Sequence, residues 1–172
     1  MGGVEDLKSF IEEDISKERV LALTVGNSKP EELATSLWEM TMRNEHPLSW
    51  RAMWFLEHLG ADNHEILRPY LKLIVAEFLN FKFDGQRRSA LKILQMFPVT
   101  DYDYGVVLNF CFDIILSNNE PIAVRSFAMQ IVFDIAMVEP ELKPELKEVI
   151  KLILPENSKG IQSKARKLLA KL

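Results

Sequence analysis

The sequence predicts an all-α fold built from stacked helical hairpins, and three observations carry that prediction. Alanine recurs along the chain at spacings of 38, 38 and 37 residues. Each alanine lies on an apolar stripe with the i, i+3, i+4, i+7 spacing of a buried helix face. A second apolar stripe with nearly the same period precedes each of these. Each unit therefore contains an outer helix A and an inner helix B, and the B-helix alanines are Ala52, Ala90, Ala128 and Ala165.

The upstream stripes predict the A helices. They begin at Leu33, Leu71, Leu108 and Leu146, in steps of 38, 37 and 38 residues. Prolines precede three of them, at positions where the missing N–H of proline costs little, because the first amides of a helix have no intrahelical partner. These prolines are Pro30, Pro69 and Pro144.

The start of the chain resembles a shorter unit. We expect Leu7, Phe10 and Ile11 on its helix A, and Val20, Ala22 and Val25 on its helix B. A terminal repeat differs from the others because one of its faces has no neighbour. The chain of 172 residues is thus predicted to be a single domain of about five hairpins, near residues 4–26, 28–60, 64–97, 102–137 and 140–172.

Composition favours a cytoplasmic protein. The segment Met1–Asp6 has neither a basic nor an apolar region, so no signal peptide is expected, and no apolar run is long enough to cross a bilayer. The single cysteine, Cys111, lies between phenylalanines and is predicted to be buried. The net charge of −4 argues against a general nucleic-acid binder. Charge is uneven, since residues 1–60 sum to −5 and residues 141–172 to +4.

The segment Val124-Arg125-x-x-Ala128-x-x-Ile131-Val132 resembles the HEAT repeat family, as do the period and the early prolines. The basic residue of that pattern is replaced by Ser49 and Gln162 in two units, so a ladder of Asp–Arg pairs between repeats would be incomplete. The resemblance implies a right-handed α–α superhelix, a solenoid like those of HEAT and armadillo proteins. It also implies that the B helices line a concave side where partners bind.

No catalytic or metal-binding pattern stands out. His46, His58 and His64 lack the spacing of a zinc site, and no glycine-rich phosphate loop is present. Asp101 and Asp103 are interpreted as caps of the following helix, with a weak cation site as the alternative. The sequence favours a protein that is not an enzyme and has no cofactor or metal.

The best candidate for a binding surface is a ridge on the B helices, off the alanine stripe. Trp and Arg are the residues that most often anchor interfaces. Trp50 and Trp54 have two interpretations, an exposed anchor or a filling for the seam between the first and second hairpins. The candidate binding residues are Trp50, Arg51, Trp54, His58, Arg88, Lys92, Gln130 and Lys167.

These residues lead to three hypotheses. The first is a non-catalytic scaffold or adaptor that binds a protein or peptide on the concave B-helix surface. The alternative is a DNA-binding repair protein related to the alkyl-base DNA glycosylases, a branch of HEAT-like proteins, with Arg51, Arg88 and Lys92 near the phosphates. The third is a homodimer formed through an apolar edge at Leu168, Leu169 and Leu172.

Overall fold

A computed structural model describes residues 4–25, 27–155 and 158–172. Gly26, the predicted end of the first hairpin, lies outside the described residues, as does Asn157 in the predicted loop before the last B helix. The same holds for Met1–Gly3 at the predicted start. Within the described part the chain is all-α, without a strand, as predicted. No helix there is long and apolar enough to span a membrane.

The chain divides into two compact units, residues 1–96 and 97–172. The first unit contains six α-helices in its described residues. They are α1 (Val4–Glu13), α2 (Lys17–Thr24), α3 (Pro30–Met42), α4 (Leu48–Leu59), α5 (Leu71–Glu77) and α6 (Asp84–Leu94). Helix α4 is central, because α1, α2, α3 and α6 all pack against it. Its Ala52, Met53 and Phe55 are fully buried.

The described residues of the second unit contain four α-helices: α7 (Tyr104–Leu116), α8 (Ile122–Val138), α9 (Lys143–Ile153) and α10 (Lys159–Leu169). Helix α8 is central here and packs against the other three. Ala128 and Ala165 are fully buried, as are Ala52 and Ala90 in the first unit, so the predicted alanine positions are confirmed as core. The predicted burial of Cys111 is also confirmed, and burial raises the pKa of its thiol.

Local sequence determines where several helices begin. Pro30 opens α3, and the Asp103 side chain accepts a hydrogen bond from the Val106 amide at 3.2 Å, which confirms the predicted cap of α7. The third A helix is less regular than predicted. It begins as a 3-10 helix, His64–Tyr70, continues as α5, and ends as the 3-10 turn Phe78–Asn80. Pro69 explains the tight first part, since a proline inside an α-helix removes one backbone bond.

In the first hairpin, the predicted positions of Leu7, Ile11 and Val20 are confirmed as buried, whereas those of Ala22 and Val25 on helix B are wrong. Ala22 is exposed and Val25 is 69% exposed, whereas Val20 and Leu23 are buried. Helix α2 packs against α4, and its Arg19 also contacts α1, where the guanidinium donates to the Phe10 carbonyl and lies over the Phe10 ring. The apolar C-terminal edge was also overestimated, because Leu168 is buried and Leu169 and Leu172 are half-buried.

Candidate binding surface on the B helices

Six of the eight predicted binding residues lie in the first unit, on two B helices that pack against each other. Helix α4 carries four of them and α6 carries two, and every one of these side chains is half-buried. Because residues three and four apart share a helix face, Trp54 and His58 form one row and Arg88 and Lys92 form the other. These two rows, together with the Glu57 side chain, are called the α4–α6 groove below.

Trp50 fills space between α4 and α6. A Cβ placed on Gly85, in the first turn of α6, would come within 3.0 Å of Trp50 Cβ and 3.1 Å of its Cε3. Such contacts are tighter than ordinary packing, so the glycine lets the indole approach the backbone. The seam that Trp50 fills therefore lies between the second and third hairpins. This seam differs from the one considered in the sequence analysis, between the first and second hairpins, which Trp50 approaches through Arg51.

Arg51 is engaged within the protein. Its Nη1 donates to the carbonyl oxygens of Glu12 at 2.6 Å and Ile11 at 3.3 Å, at the C-terminal end of α1. The last carbonyls of a helix lack intrahelical partners and carry partial negative charge, so a guanidinium stabilises them. Arg51 also lies over the Trp50 ring, 5.4 Å from its centroid. Its role is to hold the first hairpin onto α4.

Trp54 and His58 form an aromatic pair, with ring centroids 4.1 Å apart. His58 Nδ1 lies 2.9 Å from the Trp54 carbonyl oxygen. A carbonyl oxygen only accepts, so Nδ1 carries the hydrogen and Nε2 is the acceptor nitrogen of the neutral ring. The pair is held by its own backbone and stays partly open to solvent.

Glu57 lies beneath this pair and was missed as a site residue. Only 3% of its side chain is exposed, and Oε1 accepts a hydrogen bond from Lys92 Nζ on α6. Its other oxygen, Oε2, is buried and has no hydrogen-bond partner among the described residues. The sequence placed Glu57 on the same ridge as Trp50 and Trp54, five residues after Ala52, but it offered no sign that a carboxylate there would be buried.

Arg88 differs from the other cations of these helices. Arg51 binds α1 carbonyls, Arg87 pairs with Asp84 at 2.5 Å, and Lys92 pairs with Glu57. The Nε of Arg88 is buried without an acceptor, as is that of Arg51, but Arg88 alone among these four cations has neither a carboxylate nor a carbonyl partner in the described ranges. A half-buried guanidinium without a counterion is therefore present on one wall of the α4–α6 groove.

The other two predicted residues lie in the second unit. Gln130 Nε2 donates to Asp134 Oδ1 at 2.8 Å, and Gln130 Oε1 accepts from Lys164 Nζ, which links α8 to α10. Burial raises the pKa of Asp134 and lowers the pKa of Lys164, so both charged forms are disfavoured by their surroundings. Lys167 is exposed on α10. Gln130 thus takes part in an internal network, and of the two only Lys167 lies open on the surface.

The described part of the chain contains no group of three or more His, Cys, Asp or Glu side chains that could hold a metal ion. The DNA-binding alternative gains no support. Of the three cations on which it depended, Arg51 and Lys92 are already engaged within the protein.

The fold and the site define a class, an all-α protein of paired helices whose B helices carry a half-buried aromatic and charged surface. The HEAT repeat domain, as a family, matches residues 7–172 of the chain. The chain belongs to the HEAT repeat family, which confirms the resemblance seen in the sequence. Comparison with curated proteins and with solved structures found no match.

Proposed function

We propose that this protein is a non-catalytic cytoplasmic scaffold that binds a protein or peptide along its B helices. In this proposal the hairpins stack into a right-handed superhelix with the B helices on the concave side. Each hairpin has apolar faces that it cannot bury alone, which favours a stacked array with one extended inner surface. Neither a nucleic acid nor a membrane is the proposed partner.

The observation that supports this function is the α4–α6 groove. Trp54 and His58 remain half-exposed on one wall, while Arg88 and Lys92 remain half-exposed on the other. A rigid aromatic side chain beside a guanidinium is the composition of a typical interface anchor. The backbone under these side chains is fixed by the core residues Ala52 and Ala90. An anchor on such a rigid support loses little conformational freedom on binding.

A peptide selection tests this proposal. We expect random peptides displayed on phage to be enriched by the intact protein, and their binding to be lost in Trp54→Ala. Leu79→Ala is the matched control, because Leu79 is 82% exposed and lies outside the groove, in the turn Phe78–Asn80. An absence of enriched peptides, or equal loss in both variants, would contradict a binding function for this groove.

A further inference from the structure

We infer that the α4–α6 groove selects acidic segments, with a partner carboxylate on Arg88 and a neighbouring apolar side chain against Trp54. This inference rests on the proposed function and names the chemistry of its partner. The chain as a whole is acidic, with a net charge of −4, so a preference for acidic partners is not what composition predicts.

The Arg88 side chain supplies the positive charge that an acidic partner would bind. A guanidinium is always charged, and that of Arg88 is half-buried without a counterion, so an acidic partner would stabilise it. Arg51, Arg87 and Lys92 each have an acceptor inside the protein, and among the described residues Arg88 has none. A carboxylate fits best, since its two oxygens match the fork of a guanidinium in a charge-assisted pair.

The net charge of the α4–α6 groove also favours an acidic partner. Lys92 neutralises the buried Glu57, so the carboxylate of Glu57 does not cancel the charge of Arg88. The groove therefore keeps one uncompensated positive charge from Arg88, one helical turn from Lys92 on the same wall. A basic partner side chain would be repelled there, whereas an acidic one would gain attraction on both approach and docking.

The Trp54 side chain supplies an apolar contact next to this charge. Its indole stacks on His58 and packs edge-on to Phe55, with centroids 5.4 Å apart, so one part of the ring is buried and another part is open. An indole held in this way offers a fixed apolar wall to a side chain next to the carboxylate. The preferred partner therefore combines an acidic residue with an apolar neighbour.

The test uses two labelled synthetic peptides of equal length and equal leucine content, one with glutamate and one with lysine as the charged residue. Fluorescence anisotropy measures their affinity for the intact protein. We expect the glutamate peptide to bind at least about tenfold more tightly than the lysine peptide, and Arg88→Gln to reduce that affinity by about tenfold or more. Arg88→Glu should reverse the preference.

Arg166→Glu is the matched control, because Arg166 is exposed on α10 and its substitution gives the same total charge as Arg88→Glu. Circular dichroism melting verifies that each variant is folded. If Arg88→Glu does not fold, the loss of affinity in Arg88→Gln tests the role of Arg88. Equal affinity for both peptides, or an equal effect of Arg88→Glu and Arg166→Glu, overturns the inference. If the phage selection yields Trp54-dependent peptides without acidic residues, the scaffold function stands and the acidic preference fails. If it yields none, the scaffold function itself fails.

Discussion

At the residue scale, the pair of Glu57 and Lys92 shows how a buried charge depends on its partner. His58 Nδ1, the other basic group near this carboxylate, lies 4.0 Å from Oε1 and donates to the Trp54 carbonyl instead. Glu57 is 3% exposed and Lys92 is 35% exposed, so the carboxylate is far more desolvated than the ammonium. Removing the ammonium would leave a buried charge without compensation, whereas removing both charges would not.

We expect Lys92→Met to lower the free energy of unfolding by about 2 kcal/mol, since removing one partner of a buried pair is costly. Urea denaturation measures this change. The double variant Glu57→Gln with Lys92→Met should recover much of the loss. Lys151→Met is the control, because the Lys151–Glu148 pair is exposed and should contribute less than about 1 kcal/mol. Equal losses in the two single lysine variants would contradict this account.

Asp134 gives a pH-dependent prediction. Its pKa is raised by burial in the folded protein, whereas the unfolded chain titrates it near the ordinary 3.8. The charged form of Asp134 therefore lowers the stability of the folded state. That penalty is absent below the unfolded pKa, grows as the pH rises through the folded pKa, and is complete at neutral pH.

We therefore expect Asp134→Asn to stabilise the protein at pH 7, by less than about 1 kcal/mol because the site is partly screened by solvent. The asparagine oxygen can still accept the bond from Gln130. Thermal unfolding of both proteins at pH 7 and at pH 3 measures the effect, which should disappear at the lower pH. A variant less stable at pH 7 would show that attraction to Lys164 outweighs burial.

The sequence predicts which B-helix positions lie off the alanine stripe, but it does not predict the partners of their side chains. The sequence points to Arg88 because it lies off the alanine stripe, two residues before Ala90, and to Arg51 because it flanks the tryptophans of α4. Arg51 reaches the carbonyls at the end of α1, while Arg88 has no acceptor among the described residues. Which carbonyl a long side chain reaches depends on how two helices cross, and spacing along one helix does not encode that.

At the element scale, the first turn of several B helices stabilises the end of the preceding A helix. Arg125 is 4% exposed, and its Nε and Nη2 donate to the Ile115 carbonyl at 3.1 and 2.7 Å. Ser49 occupies the equivalent position in the second hairpin and donates to the Met40 carbonyl at 2.8 Å. Serine in place of the basic residue thus keeps this contact. Both carbonyls lie in the last turn of an A helix, where few intrahelical donors remain; the Met40 carbonyl also accepts from the Arg43 amide at 3.4 Å.

We expect Arg125→Met to lower the free energy of unfolding by about 2 kcal/mol, because the Ile115 carbonyl loses both of its guanidinium donors. We expect Ser49→Ala to lower it by about 1 kcal/mol, because the Met40 carbonyl then keeps only the longer bond from the Arg43 amide, at 3.4 Å. Chemical denaturation monitored by far-UV circular dichroism measures both. Arg166→Met is the matched control for the arginine and should change stability by less than about 0.5 kcal/mol, since it is exposed. A comparable effect of the two arginine substitutions would exclude this role.

The helices themselves were predictable because their apolar periodicity repeats four times with almost the same spacing. The helices of the first hairpin were predictable too, but the buried face of α2 was predicted only in part, because its eight residues contain too few apolar positions to define a register. The sequence also did not predict that the third A helix would be divided into a 3-10 segment and α5. Pro69 was interpreted as an early helix residue, whereas it lies near the end of a 3-10 segment that precedes α5.

At the scale of the whole molecule, charge and exposed apolar side chains differ between the two ends of the sequence. Residues 1–60 sum to −5 and residues 141–172 to +4. Leu21 and Val25, near the acidic end, are 54% and 69% exposed, and Leu152, near the basic end, is 69% exposed. These features favour pairing of the acidic end of one copy with the basic end of another.

Sedimentation velocity tests this self-association. We expect the sedimentation coefficient to increase with protein concentration and the increase to weaken in added salt, because screening reduces attraction between exposed charges. Replacing Leu21 and Val25 with serine should remove the increase, whereas Leu79→Ser, at a more exposed leucine elsewhere, should leave it. A coefficient that stays constant at the value of a 19.8 kDa monomer would contradict this self-association.

The burial of Cys111 has a practical consequence. It is the only thiol in the chain, it lies in the core of the second unit, and it has no exposed surface. A thiol reagent can therefore label the native protein only during transient opening of its surroundings. Under conditions where closing is faster than labelling, the labelling rate measures the free energy of that opening directly. Cys111 is thus a natural probe of local opening in the second unit, and no cysteine has to be introduced.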